Sequence, residues 1–267
     1  MSRATGLDHA AFVVADLDRA AAQWTALGFD LTPLATHTDG AGQPTGTGNR
    51  CAMLARGYLE LLAVIDPARP SRTITGMLAR YEGGHILSLA TDDAEAARFR
   101  LTRAGLASTI AATSRETPWG TARFERLPFA DLTPRLQLIR HLTPELVWRP
   151  EQLRHPNQAA ALEEVVIATA TTAALVATLS RVAGRPIQPD RLDGYTLNLP
   201  LGRVRVLTPA ATVTLFPGHP VPALPCIAGV VLRTADANAA VTALAIGRPI
   251  PGGRLAGATG AAVLFVP

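Results

Sequence analysis

Four polar side chains stand at nearly matched intervals in otherwise apolar segments: His9 and Glu60, 51 residues apart, and His85 and Gln137, 52 apart. Each pair opens and closes a stretch of alternating short strands. Side chains alternate across a strand, so one polar residue in an apolar run selects a face. If the two stretches pair about a pseudo-twofold axis, all four converge inside one half-open barrel. Two imidazoles and a carboxylate in an apolar setting suit a divalent metal such as zinc, iron, manganese or nickel. Gln137 adds a weaker oxygen ligand or orients a water. A buried Glu60 without a cationic partner is costly, because desolvation disfavours its charged form. Arg50 and Arg140 are the other candidates for that partner. The competing reading of His9 and His85 is two core histidines bonded to backbone carbonyls.

Further residues flank the same place. His37 and His141 are positioned to contact a ligand, and Arg50 and Arg123 offer the bidentate fork that suits a carboxylate or phosphate. Trp119, Trp148 and Phe124 supply an apolar wall. Cys51 is a soft donor or a plain core residue. The chain has no Gly-x-Ser-x-Gly elbow, phosphate loop, His-Glu-x-x-His or dinucleotide fingerprint.

Repetition positions these residues. Leu7-Asp8-His9-Ala10-Ala11-Phe12 leads to a helix ending at Gly28, and His85-Ile86-Leu87-Ser88-Leu89 to one ending at Gly105. Glu164-Val165-Val166-Ile167 and Ala228-Gly229-Val230-Val231 begin two more copies, with helices ending at Gly184 and near Ile246-Gly247. In the first helix Leu17, Ala20, Ala21, Trp24 and Leu27 share a face, with Asp16 as cap and Gly28 as stop. The third is expected over Thr172 to Ala183, with Leu175, Val176, Leu179 and Val182 inward. Segments 50–54, 58–64 and 135–139 are the clearest further strands. Four strand–helix–strands units result, at 5–65, 83–142, 161–208 and 223–267, with Pro144 to Pro156 linking the two pairs. The glycine- and threonine-rich run 37–48 reads as a surface hairpin.

The composition admits a globular protein of one large or two modest domains: 267 residues, 48% hydrophobic and 17% charged. Two cysteines are too few for a disulfide framework or a four-cysteine zinc site. No signal peptide or membrane-spanning run is apparent, so a cytoplasmic location is expected. The net charge is +4, carried on 25 arginines and no lysine, spread singly and with only 5% aromatics. That pattern does not resemble a nucleic-acid face; it mildly favours small anions.

The segments Gly6-Leu7-Asp8-His9, Asp16-Leu17-Asp18, Leu27-Gly28-Phe29, Gly48-Asn49-Arg50-Cys51, Gly57-Tyr58-Leu59-Glu60-Leu61-Leu62 and 143–157 resemble the vicinal oxygen chelate superfamily, in its glyoxalase-like domain branch. The superfamily includes glyoxalases, extradiol dioxygenases and bleomycin resistance proteins. The resemblance spans nearly the whole chain. It implies an α+β fold of four βαβββ modules paired into two half-open barrels: residues 1–142, a linker at 143–160, and a degenerate pair at 161–267. It also implies metal ligands at His9, Glu60, His85 and Gln137, with Glu60 as the carboxylate that moves a proton. Gln137 departs from the glutamate usual at that place. In the second pair Glu164 and Ala228 replace the histidines, and Arg205 falls where Glu60 would, an expected ion pair with Glu164. The implied function is a metal-dependent lyase, isomerase or dioxygenase acting on adjacent oxygens. The alternative is a metal-free binding or sequestration protein of the bleomycin-resistance type. A homodimer is compatible with either.

Overall fold

Residues 6–13 are buried throughout and form the first strand, β1 (Gly6–Val13). Asp16 accepts a hydrogen bond from the Arg19 amide and Gly28 takes a left-handed φ of 77°, so α1 (Leu17–Ala26) starts and stops as its sequence predicts. Three antiparallel strands follow, β2 (Ala35–Asp39), β3 (Pro44–Met53) and β4 (Tyr58–Val64), the last returning parallel beside β1. After the short helix α2 (Arg72–Leu78) the order recurs as β5 (Gly83–Ala90), α3 (Ala94–Arg103), β6 (Ala111–Thr117), β7 (Gly120–Phe129) and β8 (Arg135–His141). The computed structural model describes residues 2–129, 131–235 and 247–267.

The first eight strands close on themselves in the order β1-β4-β3-β2-β6-β7-β8-β5, with β5 pairing back to β1. The half-open barrel expected here is therefore closed. The seam is β2 against β6, where His37, Thr38 and Asp39 pair with Arg115, Ser114 and Thr113. One end of this barrel is covered by α2, whose Ile74 packs with Ala11, Val13, Leu62 and Ile86. The segment expected to be a linker covers the other end: Val147, Leu146, Trp148 and Leu153 pack on Cys51, Met53, Tyr58, Phe124 and Ile139.

The second half contains β9 (Ala159–Ala168), α4 (Thr172–Ala183), β10 (Ile187–Pro189), β11 (Gly194–Asn198), β12 (Arg203–Leu207), α5 (Pro209–Leu215), β13 (Cys226–Thr234), β14 (Arg248–Ile250), β15 (Gly253–Ala258) and β16 (Ala261–Val266). The helix α4 has the predicted bounds. The helix expected before Gly247 falls at 236–246, outside the described residues. Among the described residues these strands form an open sheet, β10-β11-β12-β9-β13-β16-β15-β14, joined to the barrel where Ile227 pairs with Gly84. Its concave face is filled by Val166, Leu207, Ala211, Phe216 and Leu264. No helix among the described residues is long and apolar enough to cross a membrane.

Two arginines lock the halves together. Arg100 of α3 donates to the Arg181 and Val182 carbonyls at the end of α4, at 2.6 and 2.5 Å, and Arg181 donates back to Ala104 O at the end of α3. Each guanidinium satisfies terminal carbonyls that the other helix leaves unpaired.

Candidate functional site

The barrel holds a half-open cavity of about 250 Å³ toward its α2 end. Strand alternation decides which residues reach it. On β1 and β4, His9 and Glu60 face inward; His9 Nε2 lies 3.6 Å from Glu60 Oε2. On β8, Arg135, Gln137 and Ile139 share the inner face. On β2 and β3, His37, Thr38, Thr45, Thr47 and Asn49 line the wall, so the surface hairpin also contributes to the cavity.

His85 does not join them. Ile86 lines the cavity instead, while His85 Nε2 bonds Tyr81 O at 2.8 Å and its ring stacks on Tyr81 at 3.9 Å. Strand register gives the reason. Glu60 pairs with Ala11 on β1, and Gln137 pairs with Ser88 on β5. His9 is two residues from Ala11 and so on its face; His85 is three from Ser88 and so on the opposite one. Burial lowers the His85 pKa, as for a core histidine bonded to a carbonyl.

Ser88, directly opposite His9 in the β1–β5 pairing, occupies the place His85 was expected to fill. Hydrogen bonds run from Arg126 Nη1 to Gln137 Oε1 (3.4 Å), from Gln137 Nε2 to Ser88 Oγ (2.7 Å), and between Ser88 Oγ and His9 Nε2 (2.8 Å). His9 Nδ1 then meets Asp8 Oδ1 at 2.6 Å, and His141 Nε2 meets Asp8 Oδ2 at 2.9 Å. The donors assign themselves along this chain. Ser88 accepts from Gln137, so it donates to His9 Nε2, and Nδ1 carries the proton given to Asp8. Burial opposes the Asp8 charge, but His141 and His9 more than reverse this and hold its carboxyl well below the usual range. Ser88, His9 and Asp8 have the connectivity of a nucleophilic triad. However, Ser88 is wholly buried behind the cavity wall, so its role is orientation.

Glu60 accepts a short bond from Asn49 Nδ2 (2.5 Å) and has His37 Nε2 at 4.0 Å. Burial would raise its pKa; His9, His37, the Asn49 bond and Arg115 together lower it. The sequence candidates for its partner face elsewhere: Arg50 toward Asp18 and Thr32, Arg140 toward Glu125. His37 is pushed down to about 4, mainly by burial, with Arg115 and Arg126 adding to the effect against Glu60. The Cys51 thiol is pushed up to about 12 by burial, although Arg115 Nη1 donates to its sulfur at 3.3 Å. It is inert as a nucleophile.

Of the remaining candidates Phe124 lines the cavity as expected, and the others are off it. Arg123 is exposed. Trp119 lies under the Arg149 guanidinium, and Trp148 and His141 meet edge-on at the barrel's covered end. The expected Glu164–Arg205 contact is present at 3.6 Å, but the two-pronged partner of Arg205 is Asp190, at 2.7 and 2.5 Å.

Three arginines that the sequence reading passed over face the cavity: Arg115 on β6, Arg126 on β7 and Arg135 on β8. Burial and the neighbouring Arg135 charge lower the Arg126 pKa, and burial lowers that of Arg135. Neither makes an ion pair with a carboxylate among the described residues; the Nε atoms of Arg115 and Arg135 are buried without a partner. The signal was present in the alternation, since Arg135 stands two residues before Gln137.

The expected metal ligands do not fit a divalent cation. His85 is on the wrong face, His9 Nε2 is occupied by Ser88, and Gln137 Oε1 by Arg126. His37 approaches Glu60, but beside Arg115 and Arg126, whose charges oppose a further cation. Among the described residues no group of three or more His, Cys, Asp and Glu side chains is disposed to hold a metal ion.

A sequence family described as a glyoxalase-like domain matches residues 7–183. No curated protein matches the chain in sequence. Among solved structures, a hypothetical protein from Staphylococcus aureus is 15% identical, with a TM-score of 0.71 over 98% of both chains. A triple mutant of 4-hydroxymandelate synthase from Streptomyces coelicolor is 15% identical, with a TM-score of 0.60 over 92% of this chain and 78% of that one. A fusion of a xylose isomerase-like TIM barrel with 4-hydroxyphenylpyruvate dioxygenase is 11% identical, with a TM-score of 0.57 over 91% of this chain and 39% of the fusion. At such identities these structures share the fold alone.

Proposed function

Starting from a chain that belongs to the glyoxalase-like domain family of the vicinal oxygen chelate superfamily, we propose that its closed barrel binds a small anionic molecule through Arg126 and Arg135. The observation that carries this is the pair itself: two neighbouring guanidiniums on the cavity wall, neither ion-paired with a carboxylate among the described residues. Like charges held together in a partly desolvated site are costly, and a bound carboxylate or phosphate removes that cost. Arginine forks also suit such groups geometrically.

Binding without a metal is the second of the two functions expected from sequence. Proton transfer by Glu60, as in an isomerase or lyase, is compatible with it: its neighbours lower the carboxyl pKa, and among the described residues Oε2 makes no direct hydrogen bond. The test is calorimetry with inorganic phosphate and small carboxylates on the wild type and on Arg126→Gln and Arg135→Gln. Saturable binding to one site, weakened at least about tenfold by either substitution, is the expected result. No binding to the wild type, or undiminished binding to both variants, would overturn it.

A further inference from the structure

The wall formed by β2, β3 and β4 has the opposite hydrogen-bonding character to Arg126 and Arg135. In the strand ring β4 stands four places from β7, and β3 four places from β8, so Glu60 and Asn49 face Arg126 and Arg135 across the cavity. His37 and Glu60 offer acceptors there. Thr45 donates its hydroxyl hydrogen to His37 O at 3.2 Å, so in the 2.8 Å contact between Thr45 and Thr47 it is Thr47 that donates. His37 Nδ1, 3.0 Å from Thr47 Oγ1, must then be the donor of that pair. The imidazole is left with a bare Nε2 lone pair directed toward Glu60. Glu60, as a carboxylate, only accepts. It takes the Asn49 amide hydrogen, which fixes the amide's orientation and leaves Asn49 Oδ1 buried without a donor.

Acceptors without donors on the cavity wall call for a donor from the ligand, because leaving a buried polar atom unpaired is costly. The charge balance decides which donor. Three guanidiniums face the cavity against the single carboxylate of Glu60, so an ammonium is repelled while a hydroxyl is not. Resting on the anion-binding reading above, we infer that the ligand is a hydroxylated acid: its anionic group lies on Arg126 and Arg135, and its hydroxyl donates its one hydrogen to His37 Nε2, beside Glu60. The anion is a carboxylate or a phosphate ester; the arginines suit both.

Matched pairs differing by a hydroxyl test this by calorimetry: malate against succinate, and glycerol phosphate against propyl phosphate. Which pair binds identifies the anion. The hydroxylated member is expected to bind at least about tenfold more tightly, the worth of one hydrogen bond to a buried charged or polar acceptor. In His37→Phe that preference should shrink to about threefold or less. Equal affinities within both pairs in the wild type would overturn the inference and leave the anion site standing. Aspartate binding more tightly than malate would overturn the charge argument. Failure of all of these ligands to bind would overturn the anion-binding reading together with this one.

Discussion

His9 Nε2 meets Ser88 Oγ at 2.8 Å across the β1–β5 pairing, while His85, three residues earlier on the same strand, faces away from the cavity. This separates a residue of the site from a residue of the core. Ser88→Ala removes the donor to His9 and the acceptor for Gln137, and through Gln137 it loosens Arg126. It should lower stability by about 1–3 kcal/mol and weaken phosphate binding. His85→Phe should cost a similar amount of stability and leave binding unchanged. Denaturant unfolding combined with calorimetry checks both, and equal loss of affinity in the two variants would return His85 to the site.

Arg126 and Arg135 impose an electrostatic cost on the unliganded protein. Arg135→Met keeps much of the aliphatic stem and removes one of the two like charges. Its melting temperature without ligand should rise by a few degrees, corresponding to about 1 kcal/mol. Phosphate should then stabilise the wild type and not the variant. A lower melting temperature in the variant would mean that Arg135 has a structural partner.

Much of this architecture was legible in the residues, and the exceptions have specific causes. Asp16, Gly28, Gly105 and Gly184 marked helix ends because capping and positive φ are local demands. His9 and Glu60 were placed by alternation within single strands. His85 was misplaced because the repeat was matched by residue type, whereas faces follow parity within a strand: His9 is two residues from the partner of Glu60, and His85 three from the partner of Gln137. Closure of the barrel was not legible, since the pairing of Ala35–Asp39 with Ala111–Thr117 joins two polar segments remote in sequence. The same holds for α2, seven residues with Gly76 among them and too short for a helical period to register.

His37 gives the fold a pH dependence of definite sign. Its pKa is about 4 when folded, against an ordinary 6.5, so between these values the unfolded chain binds more protons. Its stabilising contribution is complete above about pH 6.5 and is lost as pH falls toward 4, amounting to about 3 kcal/mol at most. His85 and His155 are lowered in the same direction, so the informative quantity is a difference. Unfolding free energies of the wild type and His37→Gln, measured from pH 4 to 7, should show the shallower slope in the variant. Parallel slopes would place the His37 ring in water.

Arg100 and Arg181 cap each other's helices from opposite halves of the chain, and the two stop glycines make room for them. A Cβ at Gly184 would lie 3.1 Å from the Arg100 guanidinium carbon, and one at Gly105 would lie 3.3 Å from Arg181 Nη2. Arg100 reaches three carbonyls, of Ser2, Arg181 and Val182, which calls for a planar fork. Arg100→Lys should therefore recover little of the roughly 1–3 kcal/mol lost in Arg100→Ala. Gly184→Ala adds a positive-φ penalty of about 1 kcal/mol to the crowding. Arg100→Ala and Arg181→Ala should also fall short of additive when combined, because both act on one α3–α4 contact. A double-mutant cycle in urea measures that coupling; strict additivity would mean that the two caps act independently.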